Sequence, residues 1–412
     1  MKKIYVVSYF IIMLSVILIL SGCSSGSRYI KKENVSISSK SIPIRVLISD
    51  SKNNLVYKVE NPVVLYNEEK EIAIVKKGNA LNFSPEGDGL DLFISNKTFH
   101  GKYFELKGEG TESNISYNNR SFRGYLKIIS EENRVKVINR ISLEDYLKGV
   151  VPAEMPIGPG ESYFQALKAF AICARTYAVM KMDDNKSMFD VYLDTRDQVY
   201  SGADAENPLS NKAVDETRNL ILTYDNKPAK VFYSAACGGH TEDASNVFSG
   251  TDVPYLKGVK DGNPPYCSIE PGFEWKEKYT GKVFIDRLKA AGYIASDNFI
   301  LKSVDVANRF ESGRVNELQI ALAANNGDKK IVIIKGNKIR SIIRTPNNRH
   351  ILRSTMFNIS IDGNGYVIIE GKGNGHGVGL CQWGAINQSV EGRNFEQILS
   401  FYFPGTDVQE LK

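Results

Sequence analysis

Val150-Val151-Pro152-Ala153-Glu154-Met155-Pro156 sets one carboxylate between two prolines. Each proline fixes its own φ at about −65° and pushes the preceding residue away from helical backbone. Glu154 is therefore expected on a stiff, non-helical step between helices. Such a mount suits a single general acid/base group, and it equally suits an ordinary helix–turn–helix corner. A second stretch, Gly371 to Gly379, carries five glycines in nine residues around His376. It fits neither phosphate-loop pattern. Glycines let backbone N–H groups approach a ligand closely. His376, Gln382 and Trp383 add the hydrogen-bonding and stacking groups that a sugar ring, apolar on its faces and polar at its rim, asks for. The alternative is a glycine-rich turn with a satisfied histidine. Cys237 and His240 form a C-x-x-H, but two ligands do not close a tetrahedral metal site. The four histidines of the chain include no HExxH or HxH. The reading therefore assigns no metal and no cofactor.

The elements that must hold these groups are legible in the patterning. Ser142-Leu143-Glu144-Asp145 offers an N-cap followed by acids suited to the positive end of a helix, and Gly149 is expected to close that short helix. After the Gly158-Pro159-Gly160 turn, Phe164, Leu167, Ala171, Ala174, Ala178 and Met182 recur at helical steps, predicting a helix over 161–182 with Cys173 as a buried thiol. A further helix is expected over 207–219. Leu220–Tyr224 and Pro228–Tyr233 are expected to pair across an Asp225-Asn226 turn. Short alternating segments near Ile44–Ile48, Val63–Leu65, Glu71–Val75, Leu92–Ile94 and Tyr103–Leu106 precede a hairpin formed by Phe122–Ile129 and Val135–Ile138. The fold class is α+β, mainly antiparallel β. The expected parts are a β-rich region (42–140), a helical and β section carrying Glu154 (141–256), an inserted α+β subdomain (257–361) and a C-terminal return to the main body (362–412). The return begins at Tyr366–Ile369 and ends in a closing helix.

The N-terminus addresses location. Lys2 and Lys3 precede an apolar run from Ile4 to Leu20, which has the form of an export signal. Its end, Leu20-Ser21-Gly22-Cys23, resembles the lipobox of bacterial lipoproteins, which implies lipidation of Cys23 after cleavage of residues 1–22. The alternative is an uncleaved anchor, since about 17 apolar residues sit at the short end of the spanning range. Either places the remainder outside the cytoplasmic membrane. The polar stretch 23–41 reads as a tether. Net charge is +5, with 42% hydrophobic and 24% charged residues. The scattered basic residues leave no nucleic-acid footprint. The cysteines other than Cys23 are too few for a disulfide scaffold, though an exported protein can hold one bridge.

Taken together, the motifs resemble the stage II sporulation protein D (SpoIID/LytB) family. The pieces that carry this are Phe122–Leu126, LEDYLKGVVPAEMP at 143–156, ALKAFAICARTYA at 166–178, DQVYSG at 197–202, SAACGGHTE at 234–242, IKGNKIR at 334–340, LRSTMF at 352–357 and GNGHGVGLCQWGA at 373–385. The resemblance implies work on peptidoglycan. Some members are lytic transglycosylases that cleave glycan strands stripped of stem peptides, giving 1,6-anhydromuramyl products, and their catalytic carboxylate corresponds to Glu154. Others are enhancers of a separate cell-wall amidase. Arg175, Tyr200, His240, Thr241, His376 and Gln382 are expected to line or support the glycan cleft. Glu144 and Asp145, at a helix start, are expected to be structural. The resemblance also implies a disulfide between Cys237 and Cys267, as paired cysteines form in some relatives. Three departures stand out. Phe170 occupies a position where glutamine is frequent, and Cys381 one where serine is common. Residues 187–197 hold none of the His and Cys residues that bind zinc just before the QVY motif in some members.

Overall fold

The computed structural model describes residues 42–110, 114–182, 187–296, 298–324 and 326–411. The expected signal peptide, the Cys23 lipidation site and the tether lie outside these residues. The described chain is α+β. A seven-stranded sheet runs, edge to edge, Val191–Tyr192, Pro43–Ser51, Arg134–Ser142, Tyr125–Glu131, Tyr103–Gly108, Val63–Asn67 and Lys70–Val75. Its neighbours are antiparallel except for the first pair. The central hairpin turns through Glu132 and Asn133, both at positive φ (52° and 57°), which matches the right-handed twist of the flanking strands. Alternation sends Ile128, Val135 and Val137 to one face, where they share a single core with Leu147, Val150, Leu167 and Phe170 of the helical section. The change from strand to helix at Ser142–Leu143 therefore falls within one core.

Helix α1 (Leu143–Glu154) starts where the sequence indicates, with the Ser142 side chain accepting from the Asp145 N–H at 3.1 Å. It does not stop at Gly149. That glycine lies mid-helix because a Cβ there would meet the Tyr200 ring at 2.6 Å and the Gly202 carbonyl at 2.9 Å. Nor does Pro152 end it. The proline costs one intrahelical hydrogen bond, but termination waits for Pro156, which holds Met155 extended at φ −123°, ψ 140°. Glu154 is therefore the last helical residue and not an extended step.

Helix α2 (Phe164–Met182) is buried almost all round: Ala166, Ala169, Ala171 and Ala174 admit close neighbours, and Cys173 lies fully inside. Helix α3 (Pro208–Glu216) is capped by Asn207. Leu220–Tyr224 meets only Lys227–Pro228 across the Asp225-Asn226 turn, and its other edge takes the C-terminal strand Asp407–Glu410. Much of the expected second strand is instead irregular, and Tyr233–Ser234 pairs in parallel with Leu380–Cys381.

The insert has its own core, from Trp275 to Ile369. One sheet joins Glu274–Thr280, Tyr366–Lys372 and Phe357–Ile361; a second joins Phe299–Arg309, Val315–Ala324 and Lys329–Lys335. Helices α4 (Gly281–Ala290) and α5 (Lys338–Ile343) complete it. Tyr366–Ile369 thus belongs to the insert, because its strand pairs with Glu274–Thr280. The return to the main core follows Lys372 and carries two helices, α6 (Gln382–Val390) and α7 (Phe395–Tyr402).

Candidate active site

Glu154 is half-buried at the C-terminus of α1, and its Oε1 accepts the Val199 N–H at 2.6 Å. Burial raises its pKa above the ordinary carboxylate value, and the Val199 N–H only partly offsets this by favouring the anion. Its backbone carbonyl, one of the helix-end acceptors left without an intrahelical donor, receives the Gln382 amide at 3.1 Å. Gln382, at the start of α6, is thus brought to the carboxylate's mount from 228 residues away.

Two further groups stand behind Glu154, and neither was singled out from sequence. Buried Gln198 accepts from the Tyr146 hydroxyl at 3.2 Å and donates to the Tyr233 hydroxyl at 3.2 Å. Burial, then the charge of Glu154, pushes Tyr233 well above the usual phenol range, which places that phenol within electrostatic reach of the carboxylate. The Phe170 ring meets Tyr233 edge-on at 4.8 Å, an apolar contact at that position. The signal for both residues was present. Gln198 lies inside DQVYSG, and Tyr233 directly precedes SAACGGHTE.

The other expected cleft residues divide. Arg175 is wholly buried and forms a two-bond ion pair with Glu144, at 2.8 and 2.7 Å. It also donates to the carbonyls of Leu220 and Val214. Tyr200 is buried too, its hydroxyl on Asn139 at 3.0 Å and its ring packed on Tyr146 and Phe122. Thr241 is spent on the Val259 backbone. These three support the interior; they do not line a cleft, because each polar atom already has an internal partner. Asp145 is likewise engaged by Ser142 at 2.6 Å. His240 is half-buried and donates through Nδ1 to the Thr241 carbonyl at 2.6 Å. His376 is half-buried against Phe248, and its Nδ1 accepts from Val378. Burial, with Arg340 and Arg314, lowers its pKa to about 3, so it is neutral at physiological pH.

The glycine loop is also different in use from the expectation. The N–H groups of Gly373, Asn374, Gly375 and Gly377 donate to Phe273, Ala236, Arg353 and Ser234 respectively. At Gly377 (φ 81°) a Cβ would lie 2.3 Å from the Arg314 guanidinium. The glycines allow two chain segments and a buried arginine to pack closely, and their amides are not offered to a ligand.

A second constellation lies beneath that loop. Cys237, Cys267, Cys381 and Asp261 are all buried, and their ligand-capable atoms lie within 4.8 Å of one another. The Cys237 and Cys267 sulfurs, expected as a disulfide, are thiols 3.6 Å apart. His240 donates to the Thr241 carbonyl, and the residues brought beside Cys237 are Cys267, Cys381 and Asp261. Apart from both constellations, a cleft of about 540 Å³ lies on the insert, lined in part by Trp275, Lys276, Arg309, Phe357 and Glu370. Its charges are largely matched internally, as in Lys276–Glu370 at 2.7 Å and Lys372–Glu274 at 3.1 Å.

Comparison with known proteins agrees with this layout. A family model described as stage II sporulation protein matches residues 131–224, which hold Glu154 and Gln198. A domain of unknown function (DUF8618) matches residues 267–379, close to the extent of the insert. The chain is 34% identical to an uncharacterized protein of Brachyspira hyodysenteriae over 89% of this chain and 92% of that one. It is 31% identical to the stage II sporulation protein D of Bacillus amyloliquefaciens, over 66% of this chain and 76% of that protein. It is also 30% identical to an amidase enhancer of Bacillus subtilis, over 63% of this chain and 40% of that one. With these motifs in one order on one scaffold, the chain belongs to the stage II sporulation protein D family.

Proposed function

We propose that this chain is a lytic transglycosylase of the bacterial cell wall, acting on peptide-stripped peptidoglycan glycan strands with Glu154 as the general acid/base. The observation that carries the reading is the state of Glu154: a half-buried carboxyl with a raised pKa, one oxygen fixed by the Val199 N–H and no cation paired to it among the described residues. Ordinary glycosidases need two carboxylates, one of which activates water or attacks the sugar. A lytic transglycosylase needs one, because the muramic acid supplies its own nucleophile. Glu154 Oε2 gives its proton to the glycosidic oxygen as the C1–O bond breaks. The resulting carboxylate takes the proton of the C6 hydroxyl as O6 bonds to C1, closing the 1,6-anhydro ring without water. The cycle requires the acid form at its start, which the raised pKa favours. Gln382 and the Gln198–Tyr233 pair hold the carboxylate's surroundings in register. The lipobox-like Leu20–Cys23 supports attachment to the outer face of the cell membrane, within reach of the wall.

Incubating the protein with peptide-free glycan strands should release 1,6-anhydromuramyl fragments detectable by mass spectrometry. No such product, across pH and with amidase pretreatment of the wall, would sink the enzyme reading. A second reading is non-catalytic stimulation of an N-acetylmuramoyl-L-alanine amidase. It is favoured by the similarity to the amidase enhancer and by Phe170, whose ring replaces a polar contact beside Tyr233. It predicts faster amidase turnover that survives Glu154→Gln.

A further inference from the structure

We propose that Cys237, Cys267, Cys381 and Asp261 form a closed, four-coordinate zinc site that staples the loop beneath the candidate active site. The donor set is three sulfurs and one carboxylate oxygen, the soft-rich composition that suits zinc and disfavours magnesium or calcium. The geometry fits. Zn–S bonds of about 2.3 Å at tetrahedral angles put sulfurs about 3.8 Å apart. Cys237 and Cys267 already lie 3.6 Å apart, and all four donor atoms fall within 4.8 Å of one another. Every ligand is buried, so no position is left for water or substrate, and the site is structural.

The surroundings are arranged as outer partners of a metal site usually are. The Tyr402 hydroxyl donates to Asp261 Oδ1 at 2.6 Å, and the Cys267 N–H to Oδ2 at 2.9 Å. The Cys237 N–H donates to the Cys381 sulfur at 3.2 Å. Cys381 is the N-cap residue of α6, where the helix favours a thiolate. Arg314 is fully buried beside the cluster. Its Nη2 donates to the Cys237 carbonyl at 2.6 Å, and its Nε lacks a partner. Three thiolates and a carboxylate around a divalent cation leave the site anionic, and this guanidinium offsets that charge.

The ligands come from three separate segments, namely the turn after Tyr233–Ser234, the 261–267 stretch at the entry to the insert, and the start of α6. Gln382, adjacent to Cys381, holds the Glu154 carbonyl. A metal here would fix the register of that contact, whichever activity the carboxylate serves.

The test is metal content of the full chain, purified with reductant and without chelator, by inductively coupled plasma mass spectrometry. About one zinc per chain is expected, falling several-fold in Cys381→Ser and Asp261→Asn and unchanged in Cys173→Ser. Cobalt replacement should give the intense visible bands of a tetrahedral thiolate site, a readout independent of activity and of variant folding. Zinc-free wild-type protein that also fails to take up cobalt would overturn the proposal. So would an intact mass showing a Cys237–Cys267 disulfide in the freshly isolated protein.

Discussion

Two glutamates open and close the same helix, and they have opposite fates. Glu144, in the first turn of α1, is buried with Arg175, which occupies both its oxygens. Glu154, in the last turn, is half-buried with a single N–H on one oxygen. The first is a charge neutralised by a partner that is itself saturated by two backbone carbonyls. The second is a charge made costly by desolvation and left available. The two share residue type and helix; they differ in depth and in whether a cation reaches them.

Breaking that comparison at its reactive end has the largest expected effect. Glu154→Gln keeps an acceptor for Val199 but cannot exchange a proton. Anhydromuramyl product formation should fall by about 10²–10⁴-fold, the usual worth of a general acid/base, with the circular dichroism spectrum unchanged. Wild-type rates in this variant would remove Glu154 from the chemistry.

At the structural end, Glu144→Ala strands Arg175 in the core. Chemical denaturation should show a loss of about 3–5 kcal/mol. The pair Glu144→Leu with Arg175→Met, which removes both charges, should recover much of it. No recovery would mean that the backbone contacts of Arg175, and not the charge balance, dominate.

Between the two ends, Gly149→Ala sets helix propensity against packing. Alanine should gain about 1 kcal/mol in a helix interior, but its Cβ would stand 2.6 Å from the Tyr200 ring. Overpacking of this kind costs about 1–3 kcal/mol. Net destabilisation in a thermal melt is expected, and a rise in Tm would show that Tyr200 gives way freely.

The smallest effect sharpens the electrostatic side. Because the folded pKa of Glu154 lies above its unfolded value of about 4.3, the unfolded chain loses that proton first as pH rises. Wild-type stability should therefore decline relative to Glu154→Gln as pH climbs from there through the raised folded pKa. The two melting curves should converge below that range, where both side chains are neutral. Parallel curves at all pH values would place Glu154 in a water-like setting.

Much of this was legible in the chain. Local rules were sufficient for the Ser142 cap, the 125–142 hairpin and the alanine-rich α2, because those signals act over a few residues. They misplaced the end of α1. Gly149 and Pro152 are breakers only in the absence of neighbours, and here the Tyr200 ring requires the glycine while the last turn tolerates the proline. Arg175, Tyr200 and Thr241, expected to line or support the cleft, have polar atoms that found partners inside the molecule.

By itself the sequence determined that the fold would be α+β and that the motifs would follow one family's order; it put Glu154 on a non-helical step, where the structure makes it the last residue of α1. Only the tertiary structure decided which carboxylate meets a cation and which thiols meet each other. Arg175 reaches Glu144 across 31 residues, and Cys381 reaches Cys237 across 144. Such pairings arise from how sheets and helices stack, and no local pattern encodes them. At the two ends of one helix, the pairing of Arg175 with Glu144 and of the Val199 N–H with Glu154 was set by which segments packed there.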